Sequence, residues 1–212
     1  MDYPYLTCRE FEECVERFVT RYRPALEDSG TRVEQQTSSA GRQYLVLQRA
    51  VYTKRAVSTP VHNVEDIEDD DPAGPAPEHA ADDDGARIEY HTVYSATWRV
   101  PVLYVRVVTS SGEVVLDGER VCDMVTEDAE MRRAMAAVPF GGALGVTDHP
   151  ELGVPFLYLH PCHTADLLRA VVAPPAQQEE TGQSVGPDEY LAAWLSLSGA
   201  AVGLTLPSIG YC

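Results

Sequence analysis

Between Val64 and Gly85 the chain carries ten acids (Glu65, Asp66, Glu68, Asp69, Asp70, Asp71, Glu78, Asp82, Asp83 and Asp84), no lysine or arginine, and three prolines, Pro72, Pro75 and Pro77. A stretch so charged and so poor in apolar side chains cannot bury enough surface to offset the entropy of ordering it. The sequence therefore predicts a disordered acidic insertion at about residues 62–86. Its plain role is a solvated spacer, its sharper one a docking strip for a basic partner. The core has to come from what lies on either side.

Removing those ten charges from a formal net charge of −17 leaves −7, an ordinary acidic surface. That balance argues against nucleic acid as a partner. At 212 residues with 44% hydrophobic content, the chain is long enough for one domain over 1–212 with a real core. It contains no apolar run of membrane-spanning length, and "MDYPYLTCREFEEC" lacks the basic and apolar regions of a signal peptide. A cytoplasmic setting is the expectation. Five cysteines (Cys8, Cys14, Cys122, Cys162 and Cys212) with no C-x-x-C pair signal neither a disulfide framework nor a thiolate zinc site.

The flanks alternate between two periodicities. Thr7 and Glu10 form a capping-box pattern, and Phe11, Cys14, Val15, Phe18, Val19 and Tyr22 follow at helical spacing until Pro24, which is expected to end the helix. "QYLVLQRAVY" (Gln43–Tyr52) reads as a strand. In "RIEYHTVYSATW", Ile88, Tyr90, Thr92 and Tyr94 alternate with Glu89, His91, Val93 and Ser95, the pattern of a half-buried strand. "PVLYVRVVT" predicts another strand, "SSG" a turn and "EVVL" a short strand. A helix is predicted over Glu127–Val138, and the glycines Gly141, Gly142 and Gly145 with "DHPELG" then break the chain. Val154–Leu159 reads as a buried strand ended by Pro161, "TADLLRAVV" as a helix capped by Thr164, and residues 173–187 as a loop. The final helix starts at Pro187 and is apolar enough to be buried. This order predicts an α+β domain, an antiparallel sheet of four or more strands with an N-terminal helix and C-terminal helices packed on it.

Chemistry concentrates in "VPFLYLHPCHTADLL", where Cys162 stands at a strand-to-helix junction. A free cysteine is commonly a small buried hydrophobe, and that reading suits the other four. At a helix start, unpaired N–H groups can favour a thiolate; a fall in thiol pKa from ~8.5 to ~7 would raise the thiolate share near neutral pH to about half. A metal site would need His160, Cys162 and His163, but adjacent residues rarely face one ion and no fourth ligand is evident. A papain-like hydrolase would want an orienting asparagine, and the only one is Asn63, beside the insertion. No cofactor motif is present.

The block "HPELGVPFLYLHPCHT" resembles the signature of the autophagy-related protein ten family, ubiquitin-conjugating-type (E2-like) enzymes whose active-site cysteine follows leucine-histidine-proline. "YHTVYSATWRVPVLY" (Tyr90–Tyr104) is similar to the family's central hairpin, and "YLAAWLSLSGAAVGL" (Tyr190–Leu204) to its closing helix. The three blocks run in family order over roughly the last 125 residues. The resemblance implies an E2-like core that takes a ubiquitin-like modifier, autophagy protein twelve, from an autophagic activating enzyme as a thioester on Cys162. The modifier then passes to a lysine of the acceptor, autophagy protein five.

The ordinary His-Pro-Asn motif is replaced here by His149, Pro150 and Glu151. Candidate helpers for deprotonation or oxyanion stabilisation are His160, His149 and the hydroxyls of Tyr94 and Tyr104, while Trp98 stands where the family usually has tyrosine. Two alternatives stay open: the sister lipid-conjugating enzyme acting on phosphatidylethanolamine, and a non-catalytic scaffold keeping the fold. The implied location is cytoplasmic, with transient presence at the pre-autophagosomal membrane. A single lysine, Lys54, against fifteen arginines suits an enzyme holding a reactive thioester, although a compositional bias of the genome explains it more simply.

Overall fold

A computed structural model of the chain describes residues 4–52, 85–125, 130, 133, 144–171 and 186–208. The acidic insertion up to residue 84, most of the helix expected over Glu127–Val138 and most of the 173–187 loop lie outside the described residues.

Helix α1 (Cys8–Asp28) starts where its capping box says it should. The Glu10 N–H donates to Thr7 Oγ1 at 3.2 Å, and the Thr7 N–H donates to Glu10 Oε2 at 2.8 Å. Two of the donors that a helix start leaves unpaired are thereby satisfied. Thr7→Ala is expected to cost about 1 kcal/mol, read as a lower urea midpoint; an unchanged midpoint would mean that the buried face alone holds the helix. That face is Phe11, Cys14, Val15, Phe18, Val19 and Leu26. Pro24 does not end the helix, contrary to expectation. One more turn survives because Leu26 is fully buried and Ser29 closes the end, its N–H donating to the Ala25 and Leu26 carbonyls and its hydroxyl to Leu26 O at 2.7 Å.

The strands are β1 (Arg32–Thr37), β2 (Gln43–Tyr52), β3 (Gly85–Ser95), β4 (Val100–Thr109), β5 (Val114–Val115), β6 (Leu144–Asp148) and β7 (Pro155–Leu159). They form one antiparallel sheet in the order β1-β2-β3-β4-β7-β6, with β5 also paired to β4. Among the described residues, further helices are α2 (Gly118–Val125), α3 (Thr164–Val171) and α4 (Pro187–Ala200), and residues 130 and 133 are helical too. The expected class is therefore present, with more strands than the sequence revealed. Gly85 and Ala86, expected in the insertion, belong to β3, and β1, β6 and α2 were not expected at all.

Side chains alternate along a strand, so the register Val105↔Leu157 puts Leu157 and Leu159 on one face with Leu45, Leu47, Ile88, Tyr90 and Leu103. Helices α1 and α4 close over that face, Tyr190, Leu191, Trp194 and Leu195 completing the core. The opposite face is not simply solvated. Tyr44, Val46 and Val93 form a second buried cluster with Tyr104 against it, and Glu89, His91 and Phe156 are buried there too. Strand β3 is thus covered on both sides, which corrects the half-buried reading.

Candidate active site

Strand β7 hands its chain to a 3-10 turn, Pro161–His163, that leads directly into α3. Pro161 favours this start, having no N–H to leave unpaired and a φ already suited to the first helical position. It also holds the preceding residue extended, and His160 has φ −66° and ψ 128°. From there the His160 ring turns back, and its Nδ1 accepts the Cys162 N–H at 3.2 Å. His160, not Thr164, is therefore the cap of this segment: Thr164 is already helical, at φ −57° and ψ −46°. With Nδ1 accepting, the neutral ring carries its proton on Nε2.

Cys162 is exposed, whereas Cys14 is buried and Cys8 and Cys122 are partly so. Burial, the largest cause in each case, pushes the Cys8 and Cys122 thiols up. The His160 ring is flanked by Trp98 edge-on at 5.4 Å between centroids and by Tyr158 at 6.1 Å. Tyr158 lies so close across Gly145 that a Cβ there would meet its ring at 2.8 Å, so β6 needs glycine at this position. Trp98 stands on the β3–β4 hairpin tip, 44% exposed.

The other candidate helpers fall elsewhere. His149 sits at the far end of β7, its N–H donating to Val154 O at 2.8 Å. About 20 Å of extended chain, from Val154 along β7, separates that end from His160. The His149 ring is 1% exposed. Its Nδ1 accepts the Glu151 N–H at 3.2 Å, so its Nε2 carries the proton and donates to His91 Nδ1 at 3.1 Å. Neither nitrogen is left to meet an incoming amine, so the geometry does not bring His149 to Cys162. The Tyr94 hydroxyl donates to Leu6 O at 2.7 Å, and Tyr104 packs on His149 at 5.0 Å. Burial, chiefly, pushes both phenols up. Sequence reasoning thus placed the thiol and His160 together, and missed what braces them. Among the described residues no three His, Cys, Asp or Glu are grouped to hold a metal ion; the side chain of His163, the third ligand of that alternative, lies outside them.

An exposed thiol on a short capped turn, with its own N–H engaged by a histidine, is a geometry for nucleophilic attack on an activated acyl group. The family model described as autophagocytosis associated protein, active-site domain, matches residues 10–209. The chain belongs to this family. The autophagocytosis-associated domain here is 34% identical over 130 residues to the human ubiquitin-like-conjugating enzyme ATG10, covering 61% of this chain and 54% of that one. The Arabidopsis thaliana enzyme of the same name is 30% identical over 120 residues, 56% of this chain and 50% of its own. This member of the family thus spans about half the length of the curated relatives it matches. A crystal structure of the autophagic E2 Atg10 aligns over 91% of this chain and 95% of its own, at 12% identity and a TM-score of 0.46. No helix among the described residues is long and apolar enough to cross a membrane.

Proposed function

We propose that this protein is an E2-like conjugating enzyme of autophagy and that Cys162 is its thioester nucleophile. The observation that carries the reading is the exposed Cys162 at the start of the turn after β7, inside a chain of the active-site domain family. In the charging step, Cys162 Sγ attacks the carbonyl carbon of the modifier's terminal thioester. A tetrahedral adduct forms, and the thiolate of the activating enzyme leaves. One thioester replaces another, so an accessible thiolate suffices and no triad is required. In transfer, an acceptor amine attacks the same carbon, the amine proton passes to a base, and Cys162 leaves as thiolate while the amide forms. His160 holds the Cys162 backbone throughout and is a positioning residue for both steps. The modifier is autophagy protein twelve, the donor the autophagic activating enzyme and the acceptor a lysine of autophagy protein five, met in the cytoplasm or at the forming autophagosomal membrane.

The test is a charging assay with activating enzyme, ATP and modifier. The expected product is a band shift abolished by reductant; Cys162→Ser should give a reductant-resistant ester and Cys162→Ala no adduct. Equal charging by Cys162→Ala would overturn the reading. Offering charged enzyme either the acceptor protein or phosphatidylethanolamine vesicles identifies the acceptor class, and transfer to the lipid alone would replace autophagy protein five with the lipid.

A further inference from the structure

The segment before α1 is pinned at four points that have no bearing on capping. Pro4 O accepts the Tyr190 hydroxyl at 2.7 Å, and Leu6 O accepts the Tyr94 hydroxyl at 2.7 Å. The Leu6 N–H donates to Arg99 O at 2.8 Å, and the Leu6 side chain is fully buried. Between Pro4 and Leu6 stands Tyr5. Its ring centroid lies 5.5 Å from the guanidinium carbon of Arg99 and 5.5 Å from that of Arg169. Arg169 also donates to the Tyr5 hydroxyl at 3.1 Å and is held by Asp166 at 2.8 Å. Two cations within reach of one ring would repel each other in the open; the ring face attracts both, and Asp166 neutralises one.

These contacts converge on Cys162 from both sides in sequence. Arg169 belongs to α3, the helix that Cys162 leads into. Trp98, next to Arg99 on the hairpin tip, packs on His160, whose ring holds the Cys162 N–H. Arg99 adopts φ 55°, a left-handed conformation that a long side chain seldom takes, within a tip closed by its own N–H donating to Ser95 O at 2.7 Å. The exposed thiol sits on a three-residue turn, between a buried Pro161 and the start of α3. Its aim is set by what grips the residues around it.

We infer that Tyr5, with Arg99 and Arg169, is a brace that clamps α3 to the β3–β4 hairpin tip and so fixes the direction of the Cys162 thiol. The role assigned to Cys162 rests on the function proposed above; the brace itself does not. A reacting group displaced by about 1 Å can lose about 100-fold in rate, so a brace of this kind acts on turnover more than on partner binding.

The experiment uses the full chain and three variants. Tyr5→Ala removes the ring, Tyr5→Phe keeps it while deleting only the hydroxyl, and Arg99→Gly deletes a guanidinium while giving φ 55° to the residue that adopts it most readily. Thermal melts establish that each is folded. Iodoacetamide labelling of Cys162, followed by peptide mass spectrometry to separate it from the other cysteines, should change severalfold in Tyr5→Ala and Arg99→Gly and return towards the parent value in Tyr5→Phe. In single-turnover charging, Tyr5→Ala and Arg99→Gly should lose about tenfold in maximal rate with little change in half-saturation by the donor. Parent-like labelling and charging in both would overturn the brace. A parent chain that labels at Cys162 but never charges would sink the proposed function, while the labelling comparison would still decide the brace.

Discussion

Acidifying the protein from pH 7 to pH 4 is expected to remove several kcal/mol of its stability, through one pair of side chains on the outer face of the sheet. His91 and His149 are 4% and 1% exposed and joined by a 3.1 Å hydrogen bond. Burial, the largest cause for both, acts with His149 and Arg106 to lower His91 to about 3, and lowers His149 to about 4 against a raising contribution from Glu151. The groups facing the pair are Tyr44 from β2, Glu89 from β3, Arg106 and Tyr104 from β4, and Glu151, which pairs with Arg42 at 2.8 Å. The nearest carboxylate oxygen to His91 Nε2, that of Glu89, is 4.0 Å away, and the nitrogen finds no hydrogen-bond acceptor among the described residues.

An unfolded histidine binds its proton near pH 6.5, so between there and pH 3 to 4 the unfolded chain holds more protons than the folded one. Stability is therefore complete above about 6.5 and is lost as the pH falls, by about 1.4 kcal/mol per site per unit. The measurement is the denaturation midpoint at half-unit steps from pH 7 to pH 4. His91→Gln with His149→Gln should flatten the curve between pH 6.5 and pH 5, above most carboxylate titration. A parent curve already flat there would mean that the pair is protonated in the fold.

Phe156→Ala should cost about 3–5 kcal/mol, a large share of the roughly 5–15 kcal/mol that holds an ordinary domain together. Phe156 is fully buried, its ring 5.0 Å from that of His91, 4.8 Å from that of His149 and 5.6 Å from the Arg106 guanidinium carbon. Truncation leaves a cavity against two imidazoles whose other ring neighbours are Tyr44 and Tyr104. Phe156→Leu should recover most of the loss, since much of the volume is restored. Urea melts give both numbers. A cost below about 1 kcal/mol would show that this face behaves as a wet surface, in which case the histidines could not be held neutral by burial. The two experiments therefore check one another.

Much of the architecture was legible because local signals state it directly. The capping box at Thr7 and Glu10, the strand Gln43–Tyr52, the Pro187 start of α4 and the junction carrying Cys162 all stand where periodicity and end signals place them. Strand β1 went unread because "RVEQQT" offers only Val33 to a core and sits at the sheet edge. Strand β6 went unread because Gly145, its second residue, reads as a breaker, while in the fold it makes room for Tyr158. Pro24 misled because a lost backbone bond costs less than the burial of Leu26 returns.

By itself, then, the sequence determined most of the segments that become helix and strand, and where the candidate nucleophile Cys162 lies, since these depend on residues within a few positions of one another. Tertiary structure alone decided that β3 is buried on both sides, that His149 pairs with His91 instead of attending Cys162, and that Tyr5 meets Arg99 and Arg169. Those partners are separated by 58, 94 and 164 positions, and they meet because the sheet pairs β4 with β7 and the segment before α1 bonds to the β3–β4 tip. Local pattern carries no record of such a pairing; register does.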